Sequence, residues 1–318
     1  MKLTTILRAA VFSMVAMSAS AHAQVTTIVV PFASGGPTDT SARIVAAAMS
    51  KQTGATFVVE NVPGAGATIG ATKVALAKPD GTMLLWGSGS TLAMTPHLYP
   101  ALKYDPVKSF APIGLVAAQP FILVVKSTRG IKNVKELVAL AKAAPGKLNF
   151  SSTGQGASSH LVAELFKAAT GISATHIPYN GGAPGLNALL AGDVDFFFDT
   201  PTTVVPHIKA GKLRALAVTG KSRWEPVPGV PTMQEVGLAD FDATTWFGLV
   251  APAGTPPERV SSLSKSLLAV LADAPVSGLL RDAGFLVEPS SPDEFAKKIA
   301  ADSARWGGII KSAGIKLN

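Results

Sequence analysis

From residue 26 onward the chain alternates between two hydrophobic periods. Residues 26–32, Thr-Thr-Ile-Val-Val-Pro-Phe, form a β-branched and almost continuously apolar run, which predicts a buried strand. Residues 38–51 place Ala42, Val45, Ala46 and Met49 at helical spacing. Residues 57–60 read as a second strand, 68–77 as a second helix and 83–86 as a third strand. That order implies a mostly parallel sheet with helices on both faces.

The middle of the chain repeats the logic. Residues 121–125 read as a strand, and Asn133 with Glu136 three residues later has the spacing of a capping box for a helix running to about 144. Residues 148–151 read as a strand, followed by a Gly/Ser loop and a helix over about 158–170. Further strands are predicted at 174–178, 194–198 and 213–218. Pro226, Pro228 and Pro231 mark an irregular link, after which 244–251 (TTWFGLVA) reads as an extended segment returning to the first lobe. Pro256 or Pro257 suits the first turn of the next helix, and helical patterns follow to the end with a short strand at 285–288. Two sheets with two or more crossings imply a hinged cleft, with hinges near 118–121 and 244–247. The expected division is 24–120 plus 247–318 for one lobe and 121–246 for the other. Such sheets bind ligands outside the carboxyl ends of their strands.

Three loops occupy that position. Pro31-Phe32-Ala33-Ser34-Gly35-Gly36-Pro37-Thr38-Asp39 joins a strand end to a helix start, where exposed backbone N–H groups and the helix dipole favour an anion. An ordinary tight turn with Thr38 or Asp39 as a helix cap fits the same residues. Residues 151–160 (SSTGQGASSH) repeat the design in the second half, so two helix N-termini aimed at one ligand is the more informative pattern. Residues 178–185 (PYNGGAPG) form a third strand-to-helix loop, in which Tyr179 could close over a ligand or sit at the surface.

Composition narrows the function. The N-terminus carries Lys2 and Arg8, an apolar and small-residue stretch from Ala9 to about Ala19, and Ala21-His22-Ala23, so residues 1–23 are expected to be a signal peptide cleaved after Ala23. The mature chain would then hold 295 residues (318 minus 23), a periplasmic protein without a later span of 18 apolar residues. With no cysteine, a lipid anchor attached through that residue is excluded. The formal charge of +8 becomes +6 without Lys2 and Arg8, and the remaining basic residues are scattered, so nucleic acid is not an expected partner.

Catalytic and cofactor motifs are weak. Residues 61–70 (NVPGAGATIG) place Ile69 where a dinucleotide fingerprint needs glycine, and Thr219-Gly220-Lys221-Ser222 lacks the upstream glycine of a phosphate loop, with Ala215 in its place. There is no Gly-x-Ser-x-Gly elbow and no His-Glu-x-x-His metal motif. His160 and Glu164 stand at i, i+4 with no third metal ligand in view, and read better as a surface or capping pair. Asp193, Asp195 and Asp199 alternate along one predicted strand, with Asp199 at its carboxyl end best placed to meet a ligand. Phe196 and Phe198 read as core. No enzyme activity, cofactor or metal is expected.

The motifs VVPFASGGPTDTSAR, VENVPGAGATIG, YDPVKSFAPIGLV, STGQGASSHLVAELF, HIPYNGGAPGLNALLAGDVDFFFD, GKLRALAVTG, VPTMQEVGL and WFGLVAPAGTP occur in this order across the mature chain. In them the sequence resembles the Bug family of periplasmic receptors that serve tripartite tricarboxylate transporters. The resemblance implies a two-lobed α/β fold of the type II periplasmic-binding-protein kind, each lobe a mostly parallel sheet flanked by helices. It implies capture of a small carboxylate by backbone amides and hydroxyls, delivery to membrane transporter subunits, and a monomer. Carried over, the ligand-binding residues are Phe32, Ser34, Gly35, Gly36, Thr38, Asp39, Ser88 and Ser90 in the first lobe, and Thr153, Gln155, Gly156, Ser158, Tyr179 and Asp199 in the second. Val62 and Ala67 depart from the family's usual Arg and Gly, in a loop where ligand capture is not clearly affected. The ligand is open among dicarboxylates, tricarboxylates, acidic amino acids and aromatic acids. Asp39 or Asp199 would suit a ligand amine, although Asp39 also works as a helix cap. A receptor that presents its ligand to a membrane sensor, or an exported hydrolase, are the competing readings.

Overall fold

A computed structural model describes residues 25–99, 101–312 and 314–316; the signal peptide expected at 1–23 lies outside them. The strands are β1 (Val25–Val30), β2 (Thr56–Asn61), β3 (Met83–Ser88), β4 (Phe110–Pro120), β5 (Ile122–Lys126), β6 (Leu148–Ser152), β7 (Ala174–Pro178), β8 (Phe196–Asp199), β9 (Leu213–Val218), β10 (Thr244–Pro252) and β11 (Leu286–Val287). They form two sheets, ordered β11-β4-β10-β3-β1-β2 and β7-β6-β8-β5-β9. β1 pairs parallel with β2 and β3, while β10 runs antiparallel to both β3 and β4. In the second sheet β6 pairs parallel with β7 and β8, and β5 runs antiparallel to β8 and β9. β11 also runs antiparallel to β4, so among the described residues four pairings are parallel and five antiparallel: the sheets are mixed rather than mostly parallel as expected, because the strands at the crossings, β4, β5 and β10, run against their neighbours.

The helices are α1 (Pro37–Thr53), α2 (Thr68–Ala75), α3 (Val134–Ala143), α4 (Ser158–Thr170), α5 (Gly182–Ala191), α6 (Pro201–Lys209), α7 (Pro257–Ala272), α8 (Ala274–Asp282) and α9 (Pro292–Ser312). The periodic residues of α1 that the sequence assigns to a buried face, Ala42, Val45, Ala46 and Met49, are all in the core. In α3, Asn133 Oδ1 accepts from Glu136 N at 2.9 Å and Lys132 N donates to Glu136 Oε2 at 2.7 Å, the capping geometry read from the spacing. The second lobe is cored by aromatic rings: Phe196 stacks on Phe150 at 5.4 Å, and Phe198 meets Phe166 edge-on at 5.4 Å.

Two further expectations need correction. Strand β8 begins only at Phe196, so Asp193 and Asp195 precede it. Asp195 instead pairs with Arg129 and accepts from Asn149 N at 2.7 Å, which ends the idea of three carboxylates on one strand face. Residues 90–97, unassigned from the pattern, form a π-helical turn (Ser90–Met94) followed by a 3₁₀ turn (Thr95–His97), and Ser90 to Thr95 are all buried.

The chain crosses between the sheets at two places, which meet at one residue. A single residue, Phe121, separates β4 from β5, and the return joins β10 at Thr244. The fully buried Thr219 hydroxyl accepts from Phe121 N at 2.8 Å and bonds Ala243 O, while Thr219 N donates to Phe121 O at 2.9 Å. Thr219 thus bolts the two crossings together, and the Thr-Gly-Lys-Ser stretch belongs to the hinge rather than to a phosphate loop.

Candidate functional site

Between the sheets lies a narrow cavity. Its walls include Phe32, Ala33, Gly36, Pro37 and Thr38 from the β1–α1 loop, and Ser88 and Ser90 after β3. The second lobe supplies Thr153, Ser158 and Ser159 after β6, Gly181 and Gly182 at the start of α5, and Asp199 and Thr200 at the start of α6. Phe121, Thr245 and Phe247 close it from the hinge side. All of these strand-end loops face inward because every parallel strand presents its carboxyl end to the same crevice.

The starts of four helices, α1, α4, α5 and α6, reach this cavity, and none carries a side-chain cap: their preceding residues are Gly36, Ala157, Gly181 and Thr200. Glycine and alanine cannot cap with a side chain, and Thr200 does not, so these helix starts reach the cavity without caps from their preceding residues; Asp39 stands in the first turn of α1, and Ser158 N at the start of α4 meets Ser90 Oγ of the other lobe. Helices α2, α7 and α8 also begin without side-chain caps, so a bare start alone marks nothing; convergence on one volume does. The lining contains no Lys, Arg or His. The cavity is therefore suited to an anion held by dipoles, amides and hydroxyls rather than by a countercharge, each helix start contributing roughly 0.3–1 kcal/mol.

The β6–α4 loop is held open for this purpose from behind. Ser159 Oγ accepts from Thr153 N at 2.8 Å, and Gly156 N donates to His160 Nδ1 at 3.1 Å. The buried His160 stacks on His176 at 3.8 Å between ring centroids, and His176 Nε2 meets Ser152 Oγ at 2.6 Å. Burial first, with the charges of His160 and Lys167, pushes His176 down to about 3, so it is a neutral ring at physiological pH. His160 is thus buried rather than at the surface, and it supports the loop as a cap, with Glu164 Oε1 3.7 Å from its Nε2.

The sequence candidates divide into three groups. Phe32, Gly36, Thr38, Ser88, Ser90, Thr153, Ser158 and Asp199 are brought together around the inner cavity. Gln155 and Tyr179 line a second chamber at the cleft mouth, with Pro63 to Ala67, Tyr99 and Asn180. Gly156 is buried, and its amide is taken by His160. Ser34 and Gly35 are exposed on the loop. Asp39 is buried but faces its own lobe: its carboxylate receives Arg43 Nε at 2.9 Å, Gly35 N at 3.0 Å and Asn61 Nδ2 at 2.9 Å. Desolvation raises its pKa, but the bonds from Arg43, Gly35 and Asn61 outweigh it and hold the carboxyl below its usual range. Phe121, Thr200, Thr245 and Phe247 line the cavity without having been singled out; their only signal was nearness to the crossings and to the end of β8.

The lobes meet across the cleft. Ser158 N donates to Ser90 Oγ at 3.2 Å, Tyr99 OH to Gln155 O at 2.9 Å, and Thr95 Oγ1 to Gly156 O at 3.0 Å, with Gly66 O at 3.2 Å from the same hydroxyl. Gly66, at φ 61°, is the point of closest approach: a Cβ there would stand 2.4 Å from Gln155 O and 3.0 Å from the Tyr99 hydroxyl. The neighbouring Ala67 holds φ 78°, a left-handed conformation in which glycine is the less strained residue.

Residues 41–315 match the family model described as "Tripartite tricarboxylate transporter family receptor". The chain is 34% identical to Protein BugT of Bordetella pertussis over 291 residues, covering 91% of this chain and 89% of BugT. Among solved structures, BugD superposes with a TM-score of 0.88 at 38% identity, covering 92% of this chain and 99% of BugD. R. palustris Rpa4515 with adipate superposes at 0.88 and 36% identity over 92% and 97% of the two chains. MatC from Rhodopseudomonas palustris with bound malate does so at 0.87 and 35% over 90% and 98%. These neighbours are type II periplasmic binding proteins, the architecture expected from the motifs, and the family comprises solute-binding receptors rather than enzymes. The chain belongs to the tripartite tricarboxylate transporter receptor family, the Bug receptors.

Proposed function

We propose that this protein captures a small organic carboxylate in its inner cavity, in the periplasm, and hands it to the membrane subunits of a tripartite tricarboxylate-type transporter. The observation that carries the reading is the convergence of four uncapped helix starts on a cavity with no basic side chain. A carboxylate satisfies several amides at once, and its charge is welcome at helix N-termini. The structures of Rpa4515 with adipate and MatC with malate support a carboxylate as the ligand class. The export-like segment at 1–23 supports the compartment.

The test is thermal melting of the mature protein against a panel of carboxylates that includes dicarboxylates, tricarboxylates, amino acids and aromatic acids. A ligand that binds only the folded state raises the midpoint by mass action, by about 2.7 kcal/mol of stability at a hundredfold excess over Kd. In Ser158→Trp the indole fills the cavity at the start of α4. Binding is expected to vanish while the ligand-free variant still melts in one transition. Unchanged affinity in that variant, or no shift with any carboxylate on ligand-stripped protein, would overturn the reading.

A further inference from the structure

The inner cavity contains one feature that a plain carboxylate does not satisfy. Asp199 ends β8 with its side chain in the cavity wall and is 1% exposed. Its Oδ1 accepts from Thr200 N at 2.8 Å, but Oδ2 has no partner, and neither do the buried hydroxyls Thr200 Oγ1 and Thr203 Oγ1. Oδ2 and the Thr203 hydroxyl converge on Gly182, where a Cβ would lie 2.6 Å from the one and 3.0 Å from the other. Only a residue without a side chain fits against these two oxygens. Asp199 is also the only titratable side chain in the cavity lining; Ile122 pairs with it across the sheet. Burial pushes its carboxyl up to about 7, only partly offset by the Thr200 amide and by the nearby hydroxyls of Thr203 and Thr200, so near neutrality it is poised between its two states.

We propose that the ligand of this cleft carries a protonated amino group beside its carboxylate, and that Asp199, with the hydroxyl of Thr200 beside it in the cavity wall, receives that group. This rests on the carboxylate-receptor reading above and narrows it to amino acids. The second carboxylate oxygen of Asp199 has no close hydrogen bond within the fold, and an ammonium group supplies the donor that it lacks. A cation supplies the countercharge that a buried carboxylate needs, whereas a hydroxyl does not. Asp39, the other acidic candidate, already has Arg43 as countercharge and is not a competitor. A metal in this role would need more anionic ligands, and among the described residues no group of three His, Cys, Asp or Glu side chains is placed to hold one. The dipoles of the four helix starts remain for the carboxylate end.

The experiment is titration calorimetry of the full mature protein with three matched pairs: aspartate and succinate, glutamate and glutarate, phenylalanine and 3-phenylpropionate. The amino member of at least one pair is expected to bind about 30-fold or more tighter than its partner, the loss typical of leaving a buried charge unpaired. Asp199→Asn and Asp199→Ser are each expected to bring the two members of that pair together. A readout free of substitutions uses the wild type in two buffers of different ionisation enthalpy: the amino ligand should release protons from Asp199 near pH 7, and far fewer at pH 9. Equal affinities within every pair that binds, tighter binding of the amine-free member, or a preference that survives both Asp199 variants overturns the proposal and leaves the carboxylate receptor standing. Failure of all six compounds to bind, together with a flat melting panel, overturns both.

Discussion

Asp39 and Asp199 are the same residue type, both at a strand-to-helix junction and 4% and 1% exposed. In the first turn of α1, Asp39 is saturated by its own lobe: Arg43 one turn on, the Gly35 amide behind it, and Asn61 at the end of β2. At the end of β8, Asp199 finds one amide and then nothing for its second oxygen. Their carboxyls move in opposite directions, Asp39 below its ordinary value and Asp199 up to about 7. A buried carboxylate supplied with partners by its own chain is a structural fastener. One left short of partners in a cavity wall is available to a ligand. Burial is common to both, so burial is not what distinguishes a site; the source of the compensating groups is.

The sharpest way to break the comparison is stability against pH, because the two signs oppose. Asp199 has its folded pKa raised above the unfolded value, so its ionisation disfavours the fold. The penalty is absent below about pH 4, grows as pH rises toward about 7 and is complete above that. Asp199→Asn removes the penalty and should stabilise ligand-free protein at pH 8 by as much as about 4 kcal/mol, with little effect at pH 4. Denaturant titrations at both pH values check this, and a variant no more stable at pH 8 would show that Asp199 is compensated within the fold.

For Asp39 the folded pKa is depressed, so the stabilisation is present above about pH 4 and is lost as pH falls through the folded pKa. Asp39→Ala should cost about 2 kcal/mol at pH 7, because Asn61 Nδ2 and the Gly35 amide lose an acceptor while the half-exposed Arg43 recovers water. The gap to wild type should narrow on acidification below pH 4; it is a loss of stability, where the gap of the Asp199 variant is a gain. Equal destabilisation at both pH values would mean that packing, not charge, carries the Asp39 contribution.

The smallest effect concerns the closed cleft in which Asp199 is buried. Gly66→Ala pushes a methyl group into Gln155 O and the Tyr99 hydroxyl, so the lobes must part slightly. The expected outcome is a loss of ligand affinity of about tenfold, equivalent to about 1.4 kcal/mol, carried mainly by faster dissociation, with folding stability within about 1 kcal/mol of wild type. Stopped-flow kinetics separates this from a change in the cavity itself, which would slow association as well.

Much of the fold was legible because its signals are local. The β-branched run of β1, the helical spacing of Ala42, Val45, Ala46 and Met49, and the Asn133–Glu136 cap each lie within a few residues, and each formed as the pattern required. The loop position of the site was legible for the same reason, since strand-end glycines before a helix are a local device. Asp195 was misplaced because alternation placed it on a strand, whereas its ion pair with Arg129 comes from a distant turn. His160 reads as a surface or capping residue; its bond from Gly156 N is such a local contact, whereas its burial against the His176 ring arises only when α4 packs on β7.

By itself the sequence determined the alternation of strands and helices, the two-lobed class and the set of loops from which a site could be built, because hydrophobic period, turn chemistry and family motifs are written along the chain. Only the tertiary structure decided that Thr219 ties the two crossings at one hydroxyl, that four bare helix starts share one cavity, and that Asp39 is satisfied while Asp199 is not. The physical reason is that a polar group's role depends on which partners reach it within about 3 Å, and those partners come from segments far apart in the chain.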